Sequence, residues 1–265
     1  MPDIKYICLS DLHFGAQNSL LTKLTPDGLR PDFLQPSPVL VSLVENLRTI
    51  IAQNQDKSQK PKLILLGDIL ELALCETNEA GMVFDRFIDL ILPEGNELFS
   101  EIYYIPGNHD HHLWEIAREA QYVRYIERMD DKNNLPPMWH TTNIFIENTT
   151  HPTRCDFMNG IIQNNEHLKN FHVQVAYPNF GILNSKGDKS VLFHHGHFLE
   201  DIYTLMSTVK TYIFPNQSIP EDIWDIEKEN FAWIDFFFFF MERSGPEVKG
   251  VELIYDNMTD EDKFS

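Results

Sequence analysis

The sequence predicts an α/β protein built on a mixed sheet. Three observations carry that reading. Short apolar, β-rich runs alternate with segments of helical period through the first half of the chain, the pattern of strand–helix–strand units. Three of those runs end in polar loops that hold Asp, His or Asn. Two later runs, 173–183 and 190–195, are joined by Asn184-Ser185-Lys186-Gly187-Asp188-Lys189, where Gly187 supplies the turn of a hairpin. From Leu199 onward the pattern is mostly helical, which adds an extra C-terminal lobe.

The elements follow in order. Ile4 to Leu9 reads as a buried strand and ends in Ser10-Asp11-Leu12-His13-Phe14-Gly15. Pro36 to Asn54 carries Leu40, Leu43, Val44, Leu47 and Ile51 at helical spacing. Leu63 to Leu66 is a second strand, ending at Gly67-Asp68. Gly81 to Leu92 reads as a helix stopped by Pro93. Ile102 to Ile105 is a third strand, ending at Pro106-Gly107-Asn108-His109-Asp110. Leu113 to Met129 reads as a helix with Trp114 in the core, and Asp130 to Thr142 as a polar loop around Pro136-Pro137. Thr150 to Asn170 shows no clear period. Pro215 to Pro220 breaks the C-terminal helical region. Phe236 to Phe240 cannot all face one side of a helix, because neighbours are ~100° apart. That run is either a core helix buried on several faces or a cap lining a pocket for an apolar part of a substrate.

A chain of 265 residues suits one core with embellishments. Its net charge of −19 opposes binding to long nucleic-acid backbones, which needs clustered cations. Bound metal ions can still dominate the field of an acidic protein locally. Cys8, Cys75 and Cys155 form no CxxC pair, so neither a disulfide framework nor a thiolate metal site is expected, and a reducing cytoplasm is the simpler setting. The N-terminus lacks the pattern of a secretion signal. The densest apolar stretch, Phe231 to Met241, is well short of the ~20 residues that cross a bilayer.

Each polar loop has an ordinary reading by itself. A lone Asp-x-His is more often structural than functional, and Gly-Asp is a common turn pair. The three histidines of His194-His195-Gly196-His197 suit a plain polar loop. Their joint placement at strand ends carries the weight, because catalytic groups collect on loops held by a rigid scaffold. Carboxylates, imidazoles and an amide oxygen together suit divalent first-row metals. A bridging carboxylate holds two ions ~3.5–4 Å apart, a clamp for the attacking and leaving oxygens of phosphoryl transfer.

In the order Asp11-x-His13, Gly67-Asp68, Gly107-Asn108-His109-Asp110 and His195-Gly196-His197, the motifs resemble the calcineurin-like metallophosphoesterase superfamily. The resemblance implies a two-layer mixed β-sandwich flanked by helices, with the site at the sheet ends. It implies that Asp11 and His13 hold one metal, that Asp68 bridges, and that Asn108 and His195 hold the second. His109 would protonate the leaving oxygen or stabilise charge on the phosphate, with Asp110 orienting it. His197 would contact phosphate, and His194 would face away from the site. The implied cofactors are two divalent ions (Mn, Fe or Zn), activating a hydroxide. The implied substrate is a small-molecule or lipid-linked phosphoester, cleaved by a phosphatase or a phosphodiesterase.

The chain departs from the family pattern at three places. The family closes with a GHxH motif, whereas Leu199 follows His197-Phe198 and no later histidine exists. The expectation is a core over 1–200, a helical cap or insertion over 201–265, and a core that resumes beyond residue 265. The acidic tail Met258 to Ser265 then reads as a helix start. Glu71 stands where many relatives have Asp in Gly-Asp-x-x-Asp, and either supports the ligands from behind or solvates the loop. His111 and His112 extend the third motif and read first as an exposed helix start, with a substrate contact by either as the alternative. Two other functions compete with hydrolysis. One is a non-enzymatic scaffold of this fold with an incomplete metal site. The other is a nuclease, which would want a basic groove that the scattered Lys and Arg do not form.

Overall fold

A computed structural model describes residues 3–130, 134–146 and 152–241. Four strands, β1 (Tyr6–Leu9), β2 (Lys62–Leu66), β3 (Ile102–Ile105) and β4 (Val173–Val175), pair in that order in one parallel sheet. Side chains alternate across it, as the period of two requires. Leu63, Leu65, Ile102, Tyr104, Val173 and Val175 join the main core with the helices. Ile64, Tyr103 and Ile105 face a smaller second core. Parallel strands need crossovers, and helices supply them.

The first crossover helix, α1 (Pro38–Ile51), starts where the Ser37 hydroxyl accepts from the Leu40 N–H at 3.0 Å. Pro38 sits in the first turn, where no intrahelical amide is needed. The second, α2 (Thr77–Ile91), begins before the expected Gly81. Its start is fixed by Glu79, whose carboxylate accepts from the Glu76 N–H at 3.1 Å. A glutamate at the cap position is not the Ser, Thr, Asp or Asn that marks most helix starts, so periodicity placed the beginning late. After β3 comes α3 (His112–Arg128), with Trp114 fully buried. Part of the segment without a clear period forms α4 (Asp156–Ile162), which buries Met158 and Ile162.

The expected single strand over 173–183 is two strands in two sheets. Beyond β4 the chain passes through a cis Tyr177–Pro178 peptide into β5 (Asn179–Leu183). Proline has no N–H for a ladder, so Pro178 marks the place where the chain leaves one sheet for the other. Strand β5 pairs antiparallel with β6 (Ser190–His194) in the expected hairpin. The hairpin lies on the second face of the parallel sheet, where Phe180 stacks on Tyr103 with ring centroids 4.6 Å apart. The result is a mixed α/β fold in two β layers, with helices on the outer face of the larger one.

The C-terminal lobe consists of α5 (Leu205–Ile213) and α6 (Ile223–Asp235), and α6 runs into a π-helical turn over Phe236–Met241. Phe231, Ile234, Phe237 and Phe238 belong to the main core, while Phe236 is exposed. The aromatic run is therefore packed on more than one face. This packing overturns the expectation of an exposed helix start at His111 and His112. His111 is 1 % exposed, between Glu227 and Asp235 at ion-pair distances of 3.5 and 3.6 Å. His112 stacks on Phe239 at 3.6 Å. Helix α6 covers the start of α3, a contact that no local pattern announces. The expected helix start at Met258 to Ser265 lies outside the described residues. No described helix is long and apolar enough to cross a membrane.

Phe180→Ala should destabilise the protein by about 3–5 kcal/mol, the cost of an emptied aromatic site. Urea unfolding measures it, and a loss below ~1 kcal/mol would show that the two layers are not coupled through this ring.

Candidate metal centre

The motif loops continue the sheet beyond its strands. The Asp11 N–H donates to the Gly67 carbonyl at 3.1 Å, the His13 N–H to Asp68 at 2.9 Å, and the Phe14 N–H to Ile69 at 2.9 Å. The Gly67 N–H reaches the Ile105 carbonyl at 2.6 Å. Within this lacing Asp11, His13 and Asp68 take φ values of +52°, +44° and +52°. Residues with side chains seldom occupy that region, and such strain persists where surrounding bonds over-determine it. Two glycines permit the close approach. A Cβ on Gly67 would stand 2.0 Å from His195 Nδ1, and one on Gly107 2.2 Å from Asp68 Oδ1.

Asp68 is the centre of the cluster. Its Oδ1 accepts from the His109 N–H at 2.9 Å. Its Oδ2 lies 3.4 Å from His195 Nε2 and 3.8 Å from His13 Nε2. Burial pushes its pKa up, but His195 and His109 outweigh burial and hold the carboxyl below its usual range. Two groups of ligand atoms share it: His13, Asp68 and His109, and Asp11, Asp68 and His195, each within 4.8 Å. Asn108 Oδ1 is 3.2 Å from His195 Nε2. Asp11, His13, Asp68, Asn108 and His195 are thus brought together, with His109 beside them.

Glu71 completes the arrangement from behind. Its side chain is 1 % exposed, with Oε2 2.7 Å from His13 Nδ1 and Oε1 2.8 Å from His109 Nδ1. Oε1 also accepts from the Ala73 and Leu74 N–H groups, each at 3.1 Å. Burial would raise its pKa, but the bonds from His109 and His13 bring it down to about 2. Burial works against charge on His109 too, yet Glu71 holds its pKa up at about 9. Burial also opposes charge on His195, and Asp68 raises it to about 9. The His195 Nδ1–H donates to the Leu66 carbonyl at 3.3 Å. In the neutral rings of His13 and His195 a bonded Nδ1–H leaves Nε2 as the lone-pair atom, the tautomer that metal ligation needs, whereas a His109 held charged by Glu71 keeps a proton on Nε2. Imidazole nitrogens, carboxylate oxygens and an amide oxygen converging at this range fit divalent ions.

Two expected contacts are placed differently. Asp110 does not meet the His109 ring. Its buried carboxylate accepts the N–H groups of Gly107 at 2.7 Å, Ile69 at 2.8 Å, and Asp68 and Leu70 at 3.3 Å. It therefore ties the third motif loop to the second, while the ring of His109 turns to Glu71. His197 is 4 % exposed, packed on Phe198 and Tyr203, and neither ring nitrogen has a hydrogen-bond partner. Burial holds its pKa well below the ordinary value, so the ring is neutral. It does not line the cleft beside His13 and His109.

In the metal-free protein, Glu71→Gln should lower the pKa of His109 from about 9 toward the ordinary ~6.5, read by NMR titration. The sign of the stability effect follows. The depressed Glu71 contributes stability above its ordinary pKa of ~4.5 and loses it as pH falls through about 2. The raised His109 contributes below ~6.5 and loses it as pH rises through about 9. Urea unfolding against pH should show the pair's contribution in full between about pH 4.5 and 6.5, and the variant should flatten it. An unshifted His109 would remove Glu71 from this role.

A family model described as calcineurin-like phosphoesterase matches residues 4–250. Neither the search of curated proteins nor the search of solved structures returned a match. The match spans nearly the whole chain and includes all four motif loops laced around Asp68. The chain belongs to the calcineurin-like phosphoesterase family, a family of metal-dependent phosphoester hydrolases.

Proposed function

We propose that this protein hydrolyses phosphomonoesters or phosphodiesters with two divalent ions, Mn, Fe or Zn, held by Asp11, His13, Asp68, Asn108 and His195. The observation that carries the proposal is Asp68 shared between two groups of ligand atoms, with His109 bonded to its carboxylate through the backbone. Bound divalent ions supply Lewis acidity at the phosphoryl oxygens and a nucleophile from water near neutral pH. The chain's own residues do the rest. Glu71 holds Nδ1 of His109, so the second ring nitrogen is the one that gives a proton to the leaving oxygen or offsets charge on the phosphate. Asp110 acts indirectly, by fixing the loop that carries Asn108 and His109. His197, neutral and buried behind His195, would reach phosphate only if the aromatic packing around it moved.

The same proposal takes residues 1–200 as the core and 201–265 as a helical cap or insertion. Phe238, 5.2 Å from the His109 ring, is in keeping with a lobe that reaches the site. The substrate is a small-molecule or lipid-linked phosphoester rather than a nucleic acid, in keeping with the acidic chain. A cytoplasmic setting is in keeping with cysteines that are all free. The scaffold reading is disfavoured by the bonded Glu71–His109 pair, which a purely structural loop has no need to keep.

The test is an assay with Mn²⁺ against monoester and diester aryl phosphates. Asp68→Asn should abolish activity, and His109→Ala should lower kcat by about 10²–10⁴-fold, the range for a lost general acid. No turnover with Mn²⁺, Fe²⁺ or Zn²⁺ would sink the hydrolase proposal, and full activity in Asp68→Asn would remove the bridging role.

A further inference from the structure

The metal centre opens into a cleft of about 470 Å³, within the range of small-molecule sites. One wall is the site itself, with Asp11, His13 and His109. The other wall is aliphatic. It is made by Leu20 and Leu21 from the loop after the first motif, Val39 from the start of α1, and Leu74 from the loop after the second motif. Leu20 is 76 % exposed, Val39 45 % and Leu74 48 %. A lone exposed aliphatic side chain needs no explanation, but three facing one cleft next to a charged cluster do. The polar side chains on that wall, among the described residues, are the uncharged Asn18 and Ser19. Among the described residues, no lysine or arginine lines the cleft.

We infer that this cleft takes an aliphatic chain on the alcohol side of the phosphoester. The inference rests on the hydrolase reading for the position of the phosphate, and deepens it by naming the class of substrate. The phosphate would lie beside His13 and His109, at the ions that the ligand set would hold, and the ester oxygen would lead its chain between Leu20, Val39 and Leu74. Continuity of the two walls fixes this occupant, because whatever fills the cleft also touches His13 and His109. A polyanionic leaving group, such as a nucleoside diphosphate, would place its second phosphate against leucine and valine with no cation to meet it. Burying a charge without a partner is costly, so the cleft selects against such substrates. Apolar burial, in contrast, stabilises a chain in proportion to its length.

The experiment is calorimetric titration of the Mn²⁺-loaded protein with methyl-, hexyl- and decylphosphonate, which have no ester bond to cleave. Affinity should rise by about fourfold for each methylene that enters the cleft. The double variant Leu20→Asn, Leu74→Asn changes two exposed side chains outside the metal cluster and adds no charge beside the phosphonate. It should bind methylphosphonate as the parent does and lose at least tenfold for decylphosphonate. Affinity that does not change with chain length, or a chain-length slope that survives in the double variant, would overturn the inference. So would failure of all three phosphonates to bind. If no aryl phosphate is hydrolysed but the length dependence and its loss are both seen, the hydrolase proposal falls and the aliphatic cleft stands.

Discussion

A carboxylate removed almost wholly from water stays charged only when its oxygens are bonded. Glu71 meets that constraint with two imidazoles and two backbone amides, and the arrangement of the site depends on it. The two histidines come from different loops, one after β1 and one after β3. One side chain therefore fixes ring orientation and tautomer on both sides of Asp68. Desolvation offsets part of the Coulomb gain in such a buried charge cluster. What the cluster does fix is geometry, and metal ligation and proton transfer are both sensitive to geometry.

Backbone bonds carry the same constraint into the fold. A parallel sheet places successive strand ends at one edge, and here the ladder runs on through the motif loops. That continuation holds three residues in the left-handed region and brings Gly67 and Gly107 against His195 and Asp68. The smaller hairpin layer then brings His195 to the same edge from the other side of the molecule. Asp110 adds no ligand, but by accepting four amides it locks two loops into one unit.

A second buried polar cluster joins the C-terminal lobe to this unit. Burial would strip His111 of its charge, yet Asp235 and Glu227 on α6 raise its pKa to about 9. The Tyr177 hydroxyl donates to Glu227 at 3.2 Å, and the Arg118 guanidinium lies 3.9 Å over the ring of Phe231. These contacts seat α6 so that Phe238 reaches the ring of His109. The lobe is thus bound to the metal centre through packing and charge together, and it does not hang from the core as a loose appendage.

Much of this was legible in the sequence. The periods of two and 3.6 that mark strands and crossover helices are local, and so are the residue types at the strand ends. Those two features carried the α/β class, the hairpin and a cluster of metal-binding residue types at the strand ends, while the set Asp11, His13, Asp68, Asn108, His109 and His195 came from the resemblance of the loop motifs to a known family. Pro178 carried the division of the 173–183 run in its missing N–H, although alternation alone concealed it. Other features were not local. Whether Glu71 or Asp110 meets His109 depends on how three loops from three strands pack, and no spacing encodes that. The burial of His111 and His197 depends on aromatic partners far along the chain. The sequence by itself determined which chemistry collects at the sheet edge. Only the tertiary structure decided which side chain faces which, because ring orientation and burial arise from contacts between segments that are distant in the chain.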